Sequence, residues 1–195
     1  MGVRIGVLDL QGDVSEHIGA FRSALADAGL SGGSEVVPVR KAGQIPSFDG
    51  LAIPGGESTT ISKLVDKNGM RGPIMEFEGG IFATCAGLIL LAKKVPDPRV
   101  KPFGLLDIDV ERNAFGRQKD SFEADLRVKG LASPFHAIFI RAPVISRVGE
   151  GVEVLAEVGG AAVAVRQGKH LGLSFHPELS GDTRLHRVFL DGILS

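Results

Sequence analysis

Residues 79–91, Gly-Gly-Ile-Phe-Ala-Thr-Cys-Ala-Gly-Leu-Ile-Leu-Leu, set one apolar run directly against another with no polar linker between them. Ile81, Phe82 and Ala83 read as the end of a short buried strand, and the run over 86–94 has the composition of a buried helix. Cys85 then occupies the turn from strand to helix. So tight a turn tolerates only small neighbours, here Ala83, Ala86 and Gly87. Such an elbow holds a thiol out from the sheet and aims the first helical amides at it, which favours the thiolate. A lone cysteine in an apolar segment also serves as a small buried hydrophobe. Residues far downstream decide between the two uses.

Upstream, residues 3–10 form a β-branched apolar run that ends in Gln11-Gly12, a first strand and its loop. Ile18, Phe21, Ala24, Leu25 and Ala28 follow at helical spacing, with Gly29 as the stop. Strands are expected over 36–39 and 51–53, and strand, helix, strand at this spacing predicts a parallel, doubly wound sheet covered on both faces. The third strand runs into Pro54-Gly55-Gly56-Glu57-Ser58-Thr59-Thr60 and a helix carrying Ile61, Leu64 and Val65, for which the hydroxyl of Ser58 or Thr59 is the expected cap. The adjacent glycines let the backbone approach a bound group and offer it free amides.

Past the cysteine, 104–110 reads as a strand and 111–118 as a polar loop. Further strands are expected over 121–128 and 137–140, then a hairpin of 152–158 with 161–166 about Gly159-Gly160. A strand over 171–175 precedes His176-Pro177-Glu178, and Leu185, Val188, Phe189 and Ile193 describe a closing helix.

Composition removes whole classes of function. One cysteine in 195 residues forms no internal disulfide and leaves no thiol set for zinc, which fits a reducing, cytoplasmic setting. A formal net charge of -1 without long runs of one sign offers no footprint for nucleic acid or an anionic membrane. The amino-terminal apolar run is broken by Asp9, too short for a signal peptide, and no run approaches the ~18 residues of a membrane span. With no repeat or linker in view, 1–195 is expected to be a single domain.

In extended geometry His176 and Glu178, two positions apart, point to one side, so the carboxylate can hold the imidazole while the other ring nitrogen faces the thiol. Cys85, His176 and Glu178 then form a nucleophile, base and orienter.

Thr84-Cys85-Ala86-Gly87 together with Phe175-His176-Pro177-Glu178 resembles the class I, or triad, glutamine amidotransferases. Within that class, Leu10-Gln11-Gly12, 54–60, Val110-Glu111-Arg112-Asn113, Phe115-Gly116-Arg117-Gln118, Asp120-Ser121-Phe122-Glu123 and Phe139-Ile140-Arg141-Ala142-Pro143 are similar to the glutaminase subunits of pyridoxal 5'-phosphate synthase. The likeness runs through essentially the whole chain, with several motifs in one order. It implies a three-layer α/β/α, flavodoxin-like domain with a mixed central sheet. It also implies hydrolysis of L-glutamine to L-glutamate, the ammonia passing to a partner synthase subunit that builds pyridoxal phosphate from a pentose phosphate and a triose phosphate. Carried over by position, Cys85 is the nucleophile and His176 with Glu178 completes the triad. Gly55, Gly56, Glu57, Arg112, Ile140 and Arg141 line the glutamine site; by charge, Glu57 suits the substrate ammonium and Arg112 or Arg141 its carboxylate. Gln11, Gly12 and Ala86 belong to the oxyanion site and the partner interface. No cofactor or metal enters this reading. Ala83 stands where these proteins often carry glycine, and Asp9 and Asp13 flank the Leu-Gln-Gly motif with charge. Two alternatives stay open: a triad amidotransferase of another pathway, and a non-enzymatic flavodoxin-like module that uses Cys85 as a sensing thiol.

Overall fold

The computed structural model describes residues 2–111 and 121–195. The apolar runs pair into β1 (Arg4–Leu8), β2 (Glu35–Val39), β3 (Gly50–Ile53) and β4 (Gly80–Thr84), separated by α1 (Val14–Asp27), α2 (Ser58–Lys67) and the short α3 (Arg71–Met75). After β4 come α4 (Ala86–Leu91), β5 (Ala92–Lys94), β6 (Leu106–Glu111), β7 (Ser121–Leu126) and β8 (Phe135–Ile140). The chain continues through β9 (Val144–Val148), β10 (Glu153–Val158), β11 (Ala161–Gln167) and β12 (His170–Leu173) to α5 (Arg184–Leu194).

The main sheet has the order β2-β1-β3-β4-β12-β11-β9-β6-β5, with β10 also paired to β11 and β7-β8 forming a separate ribbon. Strands β2, β1, β3, β4 and β12 run parallel, whereas β11 is antiparallel to β12, β10 and β9. The sheet is therefore mixed. Its parallel half is the doubly wound part read from the alternation of elements, and its antiparallel half comes from hairpins such as β10-β11, where Gly159 and Gly160 take φ of 57° and 82°.

Both faces of the parallel half are buried, so side chains alternate between two cores instead of between core and water. Leu51, Ile53, Ile81 and Ala83 enter one core with Ile61 and Val65 of α2 and Leu88 of α4. Ala52 and Phe82 enter the other, with Phe21 of α1, Phe189 of α5 and Phe135 and Phe139 of β8. No helix among the described residues is long and apolar enough to cross a membrane.

Helix α3 and strand β9 have no counterpart in the sequence reading, and one expected element changes its bounds. The helix read over 86–94 ends at Leu91, and Ala92–Lys94 become a strand parallel to β6. The amides of Phe103 and Gly104 donate to the carbonyls of Leu90 and Ala92 at 2.6 and 3.0 Å, so groups from outside the helix satisfy its end and the turn need not continue.

Candidate active site

Four adjacent parallel strands, β1, β3, β4 and β12, end on one side of the sheet, and every described residue of the site comes from the segment following one of them or from β8 and its end. Carboxyl ends of parallel strands are where such sheets bind ligands. The sheet order brings together residues 11–13, 55–57, 85 and 176–178.

At the end of β4, Cys85 has φ 48° and ψ −103°, a conformation rare for a residue with a side chain. Its neighbours are held by contact. The Cys85 amide donates to the Leu173 carbonyl at 2.8 Å, fastening the elbow to β12. A Cβ on Gly87 would sit 2.1 Å from the Ile53 carbonyl oxygen, so the helix passes β3 only without a side chain there. The sulfur lies 3.8 Å from the Ile140 carbonyl oxygen.

His176 follows β12, with its Nδ1 2.7 Å from Glu178 Oε1 and 3.4 Å from Asp13 Oδ2. Burial alone would lower the imidazole, but hydrogen bonds with Cys85 and Glu178 outweigh it and hold the ring well above the ordinary histidine range. The protonated ring is thus favoured beside the sulfur. Burial pushes Glu178 up, against the pull of its bond to His176. The reason the pair meets differs from the extended geometry read in the sequence. Residues Pro177–Leu179 form a 3₁₀ turn with Pro177 at its start, and it is this turn that swings Glu178 back under the ring. Asp13, His176 and Glu178 each bring one potential metal-ligand atom to within 4.8 Å of the others. His176 Nδ1 is already engaged by Glu178.

A cavity of about 470 Å³ opens above Cys85 and His176, walled by Gln11, Asp13, Gly56, Glu57, Ser58, Ala86, Ile89, Ile140, Arg141 and Leu179. Gly55 lies beneath it: an added Cβ would stand 2.6 Å from His176 Cε1 and 3.4 Å from Cys85 Cβ, so only glycine lets the loop after β3 approach both. Gly12, at φ 103°, is pressed onto the Gly55 carbonyl, where a Cβ would be 1.7 Å from the oxygen. The Gln11 side-chain oxygen accepts from the Glu57 amide at 2.9 Å. These contacts join the loop after β1 to the Gly-Gly loop. Arg141, at φ 45°, turns the chain away from β8 at the cavity rim. Arg112 and the motif residues 113–120 lie outside the described residues.

Glu57 does more than face the cavity. Its carboxylate caps α2, accepting from the amides of Thr59 and Thr60 at 3.2 and 2.7 Å, so the cap is neither the Ser58 nor the Thr59 hydroxyl. Partial burial would raise this carboxyl, yet the Thr59 and Thr60 hydrogen bonds bring it down to about 2. A depressed folded value means stability that is present above the ordinary 4.5 and is lost as pH falls toward about 2. Glu57→Ala is expected to lower stability at pH 7 by about 1 kcal/mol through the lost cap. The deficit narrows below pH 4.5 as the wild-type carboxyl protonates. Urea titrations of both proteins across that range check it, and a deficit independent of pH would contradict it.

Two residues at this site carry no motif in the sequence. Asp13, read only as a charge beside Leu-Gln-Gly, reaches the His176 ring. His17 is completely buried behind Glu178. Its signal was positional: residues 17, 21, 24 and 25 are the buried stripe of α1, and Ile18 is only partly covered.

A strained elbow bearing a cysteine, a buried imidazole and carboxylate one strand away, and a mixed sheet between two helical layers are the arrangement of the class I glutamine amidotransferases. The chain belongs to the SNO glutamine amidotransferase family, whose profile matches residues 7–195. It is 61% identical over 193 residues to pyridoxal 5'-phosphate synthase subunit PdxT of Methanoculleus marisnigri, covering 99% of both chains. It is 62% identical over 193 residues to the protein of the same name in Methanosphaerula palustris, covering 99% of this chain and 98% of that one. A crystal structure of a glutamine amidotransferase superposes with a TM-score of 0.86 at 48% identity, over 98% of this chain and 99% of the other. A second, from Thermotoga maritima, has a TM-score of 0.62 at 12% identity over 100% and 97% of the chains, a likeness of fold alone.

Proposed function

We propose that the chain hydrolyses L-glutamine to L-glutamate and ammonia through a thioester on Cys85, and delivers the ammonia to a synthase subunit that makes pyridoxal 5'-phosphate. The observation that carries this is the alignment of Cys85, His176 and Glu178 beneath one cavity, in a chain of this family. On this reading residues 1–195 act as one amidotransferase domain in the cytoplasm, with no metal or cofactor in the reaction.

Cys85 thiolate attacks the side-chain amide carbon, and the carbonyl pair becomes an oxyanion received by backbone amides near Gly55 and Ala86. Protonated His176 gives its proton to the departing nitrogen, releasing ammonia and leaving a thioester. Neutral His176 then takes a proton from water as it attacks the thioester; collapse frees glutamate and restores the thiolate beside an imidazolium. Glutamine plus water thereby becomes glutamate plus ammonia. Gly56, Ile140 and Arg141 border the substrate, Arg141 or Arg112 taking its carboxylate. The Glu57 carboxylate is polarised by its helix cap and stays anionic down to low pH, which suits it to an ammonium. Gln11 and Gly12 form the face toward the synthase subunit.

Release of glutamate by the purified chain, with and without saturating synthase subunit, tests the proposal. The expected result is a low basal rate raised about tenfold or more by the synthase, since docking that fixes the loop after β1 spends binding energy on the transition state. No glutamate under either condition would reject the enzyme reading and leave the sensing thiol. Hydrolysis unaffected by this synthase would assign the chain to another pathway.

A further inference from the structure

Glu178 has two oxygens and only one is committed to the base. Oε1 meets His176, while Oε2 is buried and has no hydrogen-bond partner among the described residues. A carboxylate held at one oxygen keeps a soft terminal torsion, since that rotation is broad. Behind it stands His17 of α1, fully buried, with Nε2 3.5 Å from Glu178 Oε2 and 3.0 Å from Thr84 Oγ1. Thr84 is the last residue of β4, next to Cys85.

Taking glutamine hydrolysis as proposed above, we propose that His17 is a positioning residue: its imidazole ties the second oxygen of Glu178 to the end of the strand that presents Cys85.

The proton assignment follows from accounting for donors. His17 Nδ1 has no partner among the described residues, and a buried N–H without an acceptor is rarer and costlier than a lone pair without a donor. The proton therefore belongs on Nε2, which meets Thr84 Oγ1 at 3.0 Å with Glu178 Oε2 the next oxygen at 3.5 Å. Burial, then the proximity of His186 and His176, keeps the ring far below the ordinary histidine range and so neutral. Neutrality matters here. A cation behind Glu178 would compete with His176 for the carboxylate charge, whereas a neutral N–H orients the carboxylate and leaves its charge to the imidazolium. The groups packed around His17 are Thr84, Glu178, Phe82 and His186, and His186 is itself held neutral by burial at about 3.

The test compares His17→Leu, which removes the donor at similar volume, with His17→Gln, whose amide nitrogen can take the place of Nε2. Both are assayed with the synthase subunit present. For His17→Leu, kcat is expected to fall about 10- to 100-fold, with KM within about twofold of wild type. The acid limb of its kcat profile should move to higher pH, because a carboxylate that loses a nearby polar N–H at 3.5 Å protonates more readily. His17→Gln should recover most of the rate and the wild-type limb. A role confined to packing predicts instead an equal loss at every pH and no rescue by glutamine, and that pattern overturns the proposal, as does a kcat within twofold of wild type in His17→Leu. Should His17→Leu not fold, His17→Met against His17→Gln carries the same comparison. An inactive wild type would reject the glutaminase reading itself, so the two failures are distinct.

Discussion

Replacing Cys85 by alanine is expected to abolish glutamate release, a loss of about 10⁴-fold or more, while leaving the fold intact. The size of the effect follows from the chemistry: without the sulfur there is no covalent intermediate, and what survives is positioning and the oxyanion site acting on water. The fold survives because alanine keeps the Cβ, so the same φ of 48° is imposed on a smaller residue, and the atom removed faces the cavity. Unfolding in urea should differ from wild type by about 1 kcal/mol or less. Glutamate release near the wild-type rate would show that another group attacks the amide. Loss of activity together with loss of the folded state would leave the chemistry unaddressed, which is why both measurements belong to the experiment.

The second large effect concerns the base and its support. His176→Asn is expected to reduce kcat about 10³-fold or more, because neither the thiolate nor the leaving nitrogen then has a proton partner. Glu178→Gln should cost about 10²- to 10⁴-fold for a different reason. An amide presents an N–H where Nδ1 needs an acceptor, which reverses the tautomer and removes the charge that stabilises imidazolium. Since the Cys85 and Glu178 hydrogen bonds hold His176 above its ordinary range against burial, exchanging the carboxylate for a neutral amide lets that value fall. The active imidazolium is then lost at lower pH, and the alkaline limb of the rate profile shifts downward. Stopped-flow measurement of thioester formation across pH checks this; a variant with normal acylation at every pH would remove Glu178 from the mechanism.

Much of this architecture was legible because strong local rules agreed. Strands β1, β3 and β4 announced themselves as short β-branched or apolar runs ending in glycine-bearing loops, and the elbow by small residues around Cys85. What was not legible depended on distant atoms. The end of α4 is set by amides from residues 103 and 104, which no window around Leu91 contains. Glu57 is the helix cap because the helix begins at Ser58, which puts the Ser58 and Thr59 hydroxyls inside the first turn, and the Thr59 hydroxyl itself donates to the Glu57 carboxylate. A polarity pattern favours Ile18 over His17, since it assigns the apolar neighbour to the buried face. In the fold the burial goes to the histidine, whose ring nitrogen meets Thr84, 67 positions away. Of the candidate site, Cys85 and His176 were visible as motifs, but their meeting required strand order, which places β12 beside β4 despite the eight elements between them in the chain.

That insertion makes β12 a keystone. It is flanked by β4 on one side and β11 on the other, so a chain that stops before His170 leaves two bare edges in the middle of its sheet, not one at the margin. The thiol-bearing elbow is synthesised long before the segment that carries His176. On the proposed chemistry, catalytic competence and closure of the sheet therefore arrive in one event: the strand that seals the two halves together is also the strand that delivers His176.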